Sequence, residues 1–259
     1  GQAAMADWAW RIPFLSSFVL VAIGLYVRLK LTEAPIFIAA LNKPKPKALP
    51  MMEVIVTHFK PFFLGMLICM AGYVLFYIMI AFSQIYAKSA PTVSEAGYAM
   101  GLGFSPQIFT ALLMCSAISL AITIAISGKY IDIVGRRIWL IWTTVGVALF
   151  GLVLPYFLEN GTTLSLFWFL IIGMGLIGMG YGPLASFLPE LFPTHARYSG
   201  ASLTYNIAGL FGASVAAIIA LPLNANYGLK GVGIYLTLNA VLSLIGLWFI
   251  TETRDRQLL

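Results

Sequence analysis

The chain reads G-K-Y-I-D-I-V-G-R-R from Gly128 to Arg137. This compact charged stretch lies directly between two long apolar runs, which cover residues 104–127 and 138–158. Glycine adopts the conformations that tight turns require, and lysine and arginine in short connections between membrane helices stay on the cytoplasmic side. The stretch therefore predicts the cytoplasmic turn of a helical hairpin that spans a membrane.

The composition of the whole chain supports a membrane location. Hydrophobic residues make up 61% and charged residues 9% of the sequence, and the mean hydropathy is +0.94, whereas soluble domains are about 45–50% apolar and about 25% charged. A helix needs about 20 mainly apolar residues to cross the bilayer. Seven such segments, none with a charged residue near its centre, cover residues 12–29, 61–87, 104–127, 138–158, 164–188, 200–223 and 232–250. The sequence thus predicts an all-α membrane protein.

The 15 lysine and arginine residues are divided unevenly between the two sides of this arrangement. Only Arg11, Lys88 and Lys230 fall on one side, and the rest fall on the other. Because basic residues mark the cytoplasmic side, we expect a cytoplasmic C-terminus and an external Gly1. The net charge of +6 follows from this topology and from attraction to anionic lipid headgroups. Since the chain has no base-reading motif, we expect the lipid bilayer, and no nucleic acid, as a partner.

A long polar stretch over residues 32–60 separates the first apolar segment from the others. It reads N-K-P-K-P-K from Asn42 to Lys47, where the prolines interrupt any helix and the lysines favour the cytoplasmic surface. We interpret this stretch as a cytoplasmic linker between two helical domains. The chain also opens at Gly1 rather than at an initiator methionine, and we expect it to be part of a longer protein.

Several motifs connect the chain to a known family. The spacing G-x-x-x-D-x-x-G-R-R of residues 128–137 resembles the signature loop of the major facilitator superfamily. Further motifs are similar to those of its metabolite:proton symporter family. They are W-R-I-P-F at residues 10–14, R-x-x-x-x-E-x-P-x-F at 28–37, P-E-L-F-P-T-x-x-R-x-x-G at 189–200 and E-T-R at 252–254.

The resemblance implies the major facilitator superfamily fold, in which a long cytoplasmic connection between helices six and seven joins two six-helix bundles. The seven segments then correspond to helix six and to helices seven to twelve. Residues 1–31 would be the last helix of the N-terminal bundle, 32–60 the interdomain linker, 61–250 the C-terminal six-helix bundle and 251–259 a cytoplasmic tail. The missing remainder of the N-terminal bundle would be a partner of this chain.

The resemblance also implies a function. It indicates a multi-pass protein of the inner (plasma) membrane that carries a small polar metabolite, an organic acid or an osmolyte, together with a proton by alternating access. No cofactor is implied, and the sequence holds no Ser-His-Asp set or paired carboxylates that would indicate an enzyme. Two alternatives remain open: a passive facilitator of the same fold, and a non-transporting membrane receptor or sensor.

The predicted cytoplasmic edge carries the candidate gating residues. They are Gly128, Asp132, Gly135, Arg136, Arg137, Glu190 and Arg197. We expect Asp132, just beyond a helix end, to accept from backbone amides at another helix N-terminus, whose dipole favours a negative charge; the resemblance suggests helix five. Arg136 and Arg137 are expected to pair with Glu190, and Arg197 with Glu252. Alternatively, these charges are solvated topology signals, since exposed ion pairs contribute little to stability.

The substrate path must be lined by polar side chains within apolar helices. Tyr73, Tyr77 and Gln84 follow one another at steps of four and seven residues, so one helical face presents all three. This face either lines a cavity that binds substrate or forms an aromatic packing stripe.

Two further segments add candidate substrate-binding residues. Tyr181 lies in the glycine-rich run over residues 173–183, which permits close helix packing or bending near a ligand. Asn206 is either a ligand contact or a helix–helix hydrogen bond, because an unpaired amide in hydrocarbon costs several kcal/mol.

No carboxylate of this chain lies at membrane depth, although proton-coupled transporters usually hold an ionisable relay there. His58 and His195 fall at the cytoplasmic edge. The coupling acid is therefore expected outside this chain, or coupling is absent. Cys69 and Cys115 lie within separate apolar segments and are expected to act as small apolar residues, with neither a disulfide nor a metal site.

Overall fold

The computed structural model of the chain describes residues 5–30 and 50–252. These residues are almost entirely helical, and an isolated β-bridge joins Val93 to Ala99 in the connection over residues 89–105. The chain divides into two units, Gly1–Lys45 and Pro46–Leu259. The prolines and lysines of the predicted linker, over residues 42–47, lie outside the described residues.

The first unit holds one long helix. A single π-helical turn, Met5–Ala9, precedes helix α1, Arg11–Lys30, whose 20 residues match the thickness of a bilayer core. The apolar side chains of α1 are exposed all along its length, as at Phe18 and Leu29, which are 73% and 77% exposed. A helix that is apolar on every side suits a lipid environment, and the first predicted segment is confirmed as a helix.

The second unit is a helical bundle that begins with a short helix, α2, at Pro50–Thr57. The longer elements follow in chain order: α3 at Phe59–Tyr77, α4 at Ser83–Lys88, α5 at Pro106–Val134, α6 at Arg136–Glu159, α7 at Thr163–Glu190, α8 at Arg197–Gly209 and α9 at Val215–Phe249. Single π-helical turns, Ile78–Phe82 and Leu210–Ser214, join α3 to α4 and α8 to α9.

Six helical runs among the described residues are long and apolar enough to cross a membrane. The last of them, Arg197–Phe249, is 53 residues long and contains the sixth predicted segment and all of the seventh except its last residue. Gly228 breaks it with φ 68° and ψ −172°, a backbone conformation that favours glycine. The two predicted segments are therefore the two arms on either side of Gly228.

The ends of the central helices follow local sequence signals. Ser105 caps α5 by accepting from the amide of Ile108 at 3.3 Å, and Pro106 occupies the first turn. Gly135, with φ 102°, separates α5 from α6 and forms the predicted tight turn. Gly128 lies inside α5, with open space beside its Cα, so the prediction that both glycines form the turn is wrong for Gly128.

The helices pack closely where the sequence places small residues. A methyl group on Gly178 of α7 would lie 2.6 Å from the carbonyl oxygen of Leu120 in α5, so only glycine permits this approach. Polar side chains also link the helices, since Ser243 of α9 donates to the carbonyl of Leu67 at 2.6 Å and accepts from the amide of Ala71 at 3.1 Å. These contacts join α5 to α7 and α3 to α9.

Candidate functional site

A cavity of about 280 Å³ lies among α3, α5, α6, α7 and α8. We call it the membrane cavity. Aliphatic side chains such as Leu75, Val147 and Leu176 form most of its wall. The lining residues with polar side-chain atoms are Tyr73, Tyr181, Tyr205, Thr143, Thr144 and Cys69. An apolar pocket with a few converging polar groups is the usual form of a small-molecule site.

Three tyrosines form the polar part of the membrane cavity. The rings of Tyr73 and Tyr205 lie 5.0 Å apart between centroids, tilted by 52°, and the Tyr205 side chain also interacts with Tyr181. Space for Tyr73 depends on small residues, because a methyl group on Gly209 would come within 3.2 Å of its ring. The cluster therefore joins α3, α7 and α8 through side chains that offer both hydroxyl groups and aromatic faces.

The structure brings together two of the predicted substrate-binding residues, Tyr73 and Tyr181. Tyr77 is half-buried and packs against the hydrophobic core. Asn206 is exposed, and its amide nitrogen donates to the carbonyl of Ser202 one turn earlier at 2.8 Å. Tyr77, Gln84 and Asn206 lie outside the lining of the membrane cavity, and their roles in binding substrate stay predictions.

Gln84 leaves the expected helical face for a structural reason. The π-helical turn Ile78–Phe82 lies between Tyr77 and Gln84, and such a turn inserts an extra residue into the helix. The residues after it are rotated by about 100° from their α-helical positions. The prediction that one face presents Tyr73, Tyr77 and Gln84 assumed an uninterrupted α-helix.

Sequence reasoning did not select Tyr205, Thr143 or Thr144, which also line the membrane cavity. Thr143 and Thr144 donate to helical carbonyls one turn earlier, at 3.0 and 2.7 Å. Because their hydroxyls are hydrogen-bonded, burying them in the apolar wall costs little free energy. Tyr205 adjoins Asn206 in the sequence, and only the packing of α8 against α3 distinguishes the two positions.

One end of the bundle carries most of its charged residues, including Asp132, Arg136, Glu190 and Glu252, and we call it the charged face. Arg136 forms an ion pair with Glu190, and both side chains are largely buried, at 16% and 14% exposure. This pair, which was expected from the sequence, links the start of α6 to the end of α7. Asp132 lies in the last turn of α5, not beyond it, and its carboxylate is 3.4 Å from Arg136.

Glu252 plays a part that sequence reasoning missed. Its two carboxylate oxygens accept from the backbone amides of Arg136 and Arg137, at 3.1 and 3.0 Å. The carboxylate therefore caps the N-terminus of α6, where free amides and the helix dipole favour negative charge.

Two of the predicted ion pairs are wrong for the described residues. Arg137 donates to the carbonyls of Leu247 and Trp248, at 2.8 and 3.0 Å, instead of pairing with Glu190, because the end of α9 leaves these carbonyls free. A pair between Arg197 and Glu252 is absent from the described part of the chain, where the Glu252 oxygens bind the α6 amides. Arg197 instead lines a second cavity, of about 500 Å³, on the charged face with His58, Lys60 and Glu190.

Comparison with known proteins places this architecture in a family. The model of the family described as sugar (and other) transporter matches residues 99–259. A Haemophilus influenzae protein named "Putative metabolite transport protein" is 89% identical over 258 residues, which are 100% of this chain and 58% of that protein. No solved structure matches the chain significantly.

More distant relatives extend the comparison. The inner membrane metabolite transport protein YhjE of Escherichia coli is 40% identical over 97% of this chain and 56% of its own length. The proline/betaine transporter of Salmonella typhimurium is 27% identical over 100% of this chain and 51% of its own length. The chain thus spans little more than half the length of these curated relatives. With its membrane-length helices and the family match over residues 99–259, the chain belongs to the sugar (and other) transporter family of the major facilitator superfamily.

Proposed function

We propose that this chain is part of a secondary active transporter that moves a small polar metabolite by alternating access, coupled to a proton. The observation that carries the proposal is the membrane cavity, where Tyr73, Tyr181 and Tyr205 line an otherwise mostly apolar wall. The names of the relatives, which include metabolite and proline/betaine transporters, support the same class of function. By analogy with the relative named as an inner membrane protein, we propose the inner membrane as its location.

The chemistry of the cavity favours a substrate with both polar and apolar parts. Hydroxyl groups both donate and accept hydrogen bonds, so the tyrosines can bind polar groups of a metabolite, while the aliphatic wall can contact its apolar part. No lysine, arginine or carboxylate lines the membrane cavity. Within the described part of the chain, this cavity therefore offers no full charge to hold a substrate, and a single polar molecule of low net charge fits it best.

The charged face supplies the candidate gate. Arg136 is fixed by Glu190, while the side chain of Asp132 remains 69% exposed beside it. A carboxylate that is held by a buried arginine but open to its surroundings can bind free backbone amides on another helix. We propose that Asp132 acts as a latch, which means that its carboxylate binds backbone amides of another helix in one conformation of the transporter and releases them in the other. Arg136 and Glu190 would position Asp132, and Gly135 provides the turn that brings these residues together. We further propose that this face and the C-terminus lie on the cytoplasmic side, because basic residues in short connections between membrane helices favour that side.

Proton coupling has no candidate acid at membrane depth in this chain. The symport mechanism therefore requires an acidic residue in a part of the protein outside the chain. The same observation favours a second candidate function, passive facilitation by the same fold, in which substrate moves only down its gradient.

An uptake experiment separates these functions. Cells that express the gene, and matched cells with an empty vector, receive radiolabelled proline, glycine betaine, citrate, 2-oxoglutarate or shikimate, with and without a protonophore. Accumulation above the external concentration that collapses with the protonophore supports symport and identifies the substrate class. Uptake that only reaches the external concentration and is unchanged by the protonophore supports the facilitator. Binding of a substrate without any flux would contradict both transport functions and favour a receptor.

A further inference from the structure

Three side chains that play no part in the proposed transport path meet on the charged face. Glu53 comes from α2, His58 lies between α2 and α3, and His195 belongs to the connection between α7 and α8. The Oε1 atom of Glu53 lies 2.6 Å from Nε2 of His195 and 3.9 Å from Nε2 of His58. One ligand atom from each residue lies within 4.8 Å of the others.

The backbone holds these residues in place. His58 leaves the helical conformation, with φ −116° and ψ 32°, while its amide still donates to the carbonyl of Val54 at 3.1 Å. This break between α2 and α3 keeps its ring near Glu53. Val54 is fully buried and anchors α2 on the bundle. Ala196, also fully buried, anchors the connection that carries His195.

The Glu53 carboxylate has an oxygen that accepts no hydrogen bond from the described residues. Its Oε1 atom is shared by the two imidazoles, whereas Oε2 is buried and has no hydrogen-bond partner among the described residues. A buried acceptor without a partner is costly, and a cation between Glu53 and the imidazoles would satisfy it. The side chains of His58 and His195 are 26% and 44% exposed, so an ion can reach the cluster from solvent.

Two imidazoles and one carboxylate form a donor set that suits divalent transition metals, and three protein ligands plus water complete a tetrahedral zinc site. In such a site the ligand atoms lie about 3.3 Å apart, between the two distances found here. Mg²⁺ and Ca²⁺ prefer sets of oxygen ligands, and Lys60 and Arg197 line the adjacent cavity with His58. The positive charges of Lys60 and Arg197 repel any cation, so only an ion that binds imidazole strongly is expected at this site.

We propose that Glu53, His58 and His195 bind a divalent transition metal ion, with Zn²⁺ as the best fit and water as the fourth ligand. The bound ion would fasten α2 to the connection between α7 and α8. It would thereby fix the part of the chain that leads into α3. This inference does not depend on which solute, if any, the protein transports.

The test is Zn²⁺ binding by the purified protein, prepared with an affinity tag that contains no histidine and treated with a chelator that is then removed. The chain contains only two histidines, so few competing imidazole ligands complicate the measurement. Calorimetry should show one Zn²⁺ per chain, with no binding of Mg²⁺. The variants Glu53→Gln, His58→Gln and His195→Gln should each weaken Zn²⁺ binding by at least about 100-fold. Even substitutions of residues that only hydrogen-bond to metal ligands lower the metal affinity by about 10–100-fold.

Glu95→Gln is the matched control, because Glu95 is exposed and lies in the connection over residues 89–105. It should bind Zn²⁺ like the unmodified protein, and gel filtration should show that all four variants remain folded. Co²⁺ offers an independent readout, since a four-coordinate site gives intense visible absorption that Zn²⁺ abolishes. The proposal is overturned if the folded protein does not bind Zn²⁺, if the histidine variants bind it unchanged, or if bound Co²⁺ keeps the weak spectrum of the hydrated ion.

Discussion

The guanidinium of Arg136 contacts the carboxylate of Glu190, and this pair joins the start of α6 to the end of α7. Both side chains are largely removed from solvent, whereas the neighbouring Asp132 is not. A buried pair is strongly destabilised when one partner is removed, because the other charge is left uncompensated. The pair therefore holds the Arg136 guanidinium in place, and Arg136 in turn positions the exposed carboxylate of Asp132.

Reversing one charge of this pair should destabilise the protein, and reversing both should restore much of the loss. Arg136→Glu and Glu190→Arg each place like charges in contact, while the double variant again pairs opposite charges. We expect a coupling free energy of about 0.5–3 kcal/mol, measured from thermal unfolding in detergent as a double-mutant cycle. Glu95→Arg, which reverses an exposed charge, is the control. Additive effects of the two single variants would show that the pair contributes no coupling.

Loss of the Glu252 carboxylate should weaken the N-terminus of α6. Its oxygens bind two backbone amides there, and loss of such a cap costs about 0.5–2 kcal/mol. Glu252→Ala should lower the melting temperature by about 1–8 °C, and Glu252→Gln, which keeps one acceptor, by less. A melting temperature for Glu252→Ala equal to that of Glu95→Ala would contradict the capping role.

Asp132→Asn should change the accessibility of the membrane cavity. The substitution removes the charge that we assign to the latch but keeps the shape of the side chain. The reporter is a single cysteine at Leu184, which lines the cavity, in a protein where Cys69 and Cys115 are replaced by alanine. A membrane-impermeant thiol reagent, applied to inside-out vesicles, should label the Asp132→Asn variant at a different rate from the protein that retains Asp132. Identical labelling of the two proteins would refute the latch.

The membrane helices were predictable because apolar length is a local property of the chain. The fourth segment, predicted at residues 138–158, is the helix Arg136–Glu159, and Gly135 makes the turn before it. The Arg136–Glu190 pair was also predictable, since both residues lie at the same end of adjacent hairpins. The sequence alone could not show that Glu252 caps α6, because that role depends on how α9 packs against α6.

The cavity was harder to predict than the helices. A π-helical turn has no clear sequence signature, and the turn Ile78–Phe82 moves Gln84 away from the face of Tyr73. Tyr205 and Asn206 are neighbours in the sequence, yet Tyr205 lines the cavity and Asn206 is exposed. The cluster of Glu53, His58 and His195 combines residues far apart in the chain, and only the folded bundle brings them together.

Removing the hydroxyl of Tyr205 should weaken substrate binding without affecting the fold. Tyr205→Phe keeps the ring contact with Tyr73 but loses the hydrogen-bonding group, which is worth about 0.5–1.5 kcal/mol. We therefore expect KM for uptake to rise by about 2–12-fold, with unchanged protein levels in the membrane. Tyr156→Phe, at a side chain that is 80% exposed, is the control.

Gln84→Ala in the same assay tests the sequence-based prediction for Gln84, and an unchanged KM would remove Gln84 from the site.

Two glycine-to-alanine variants should differ in their effects on stability. A methyl group at Gly178 would lie 2.6 Å from the carbonyl oxygen of Leu120, whereas one at Gly128 meets no atom within 4 Å. Gly178→Ala must push α5 and α7 apart, and such overpacking costs about 1–3 kcal/mol. Gly128→Ala lies within a helix, where alanine is favoured over glycine by about 0.5–1 kcal/mol. Thermal unfolding in detergent should therefore show a lower melting temperature for Gly178→Ala and an equal or higher one for Gly128→Ala. Equal melting temperatures for the two variants would mean that α5 and α7 are not in close contact at Gly178.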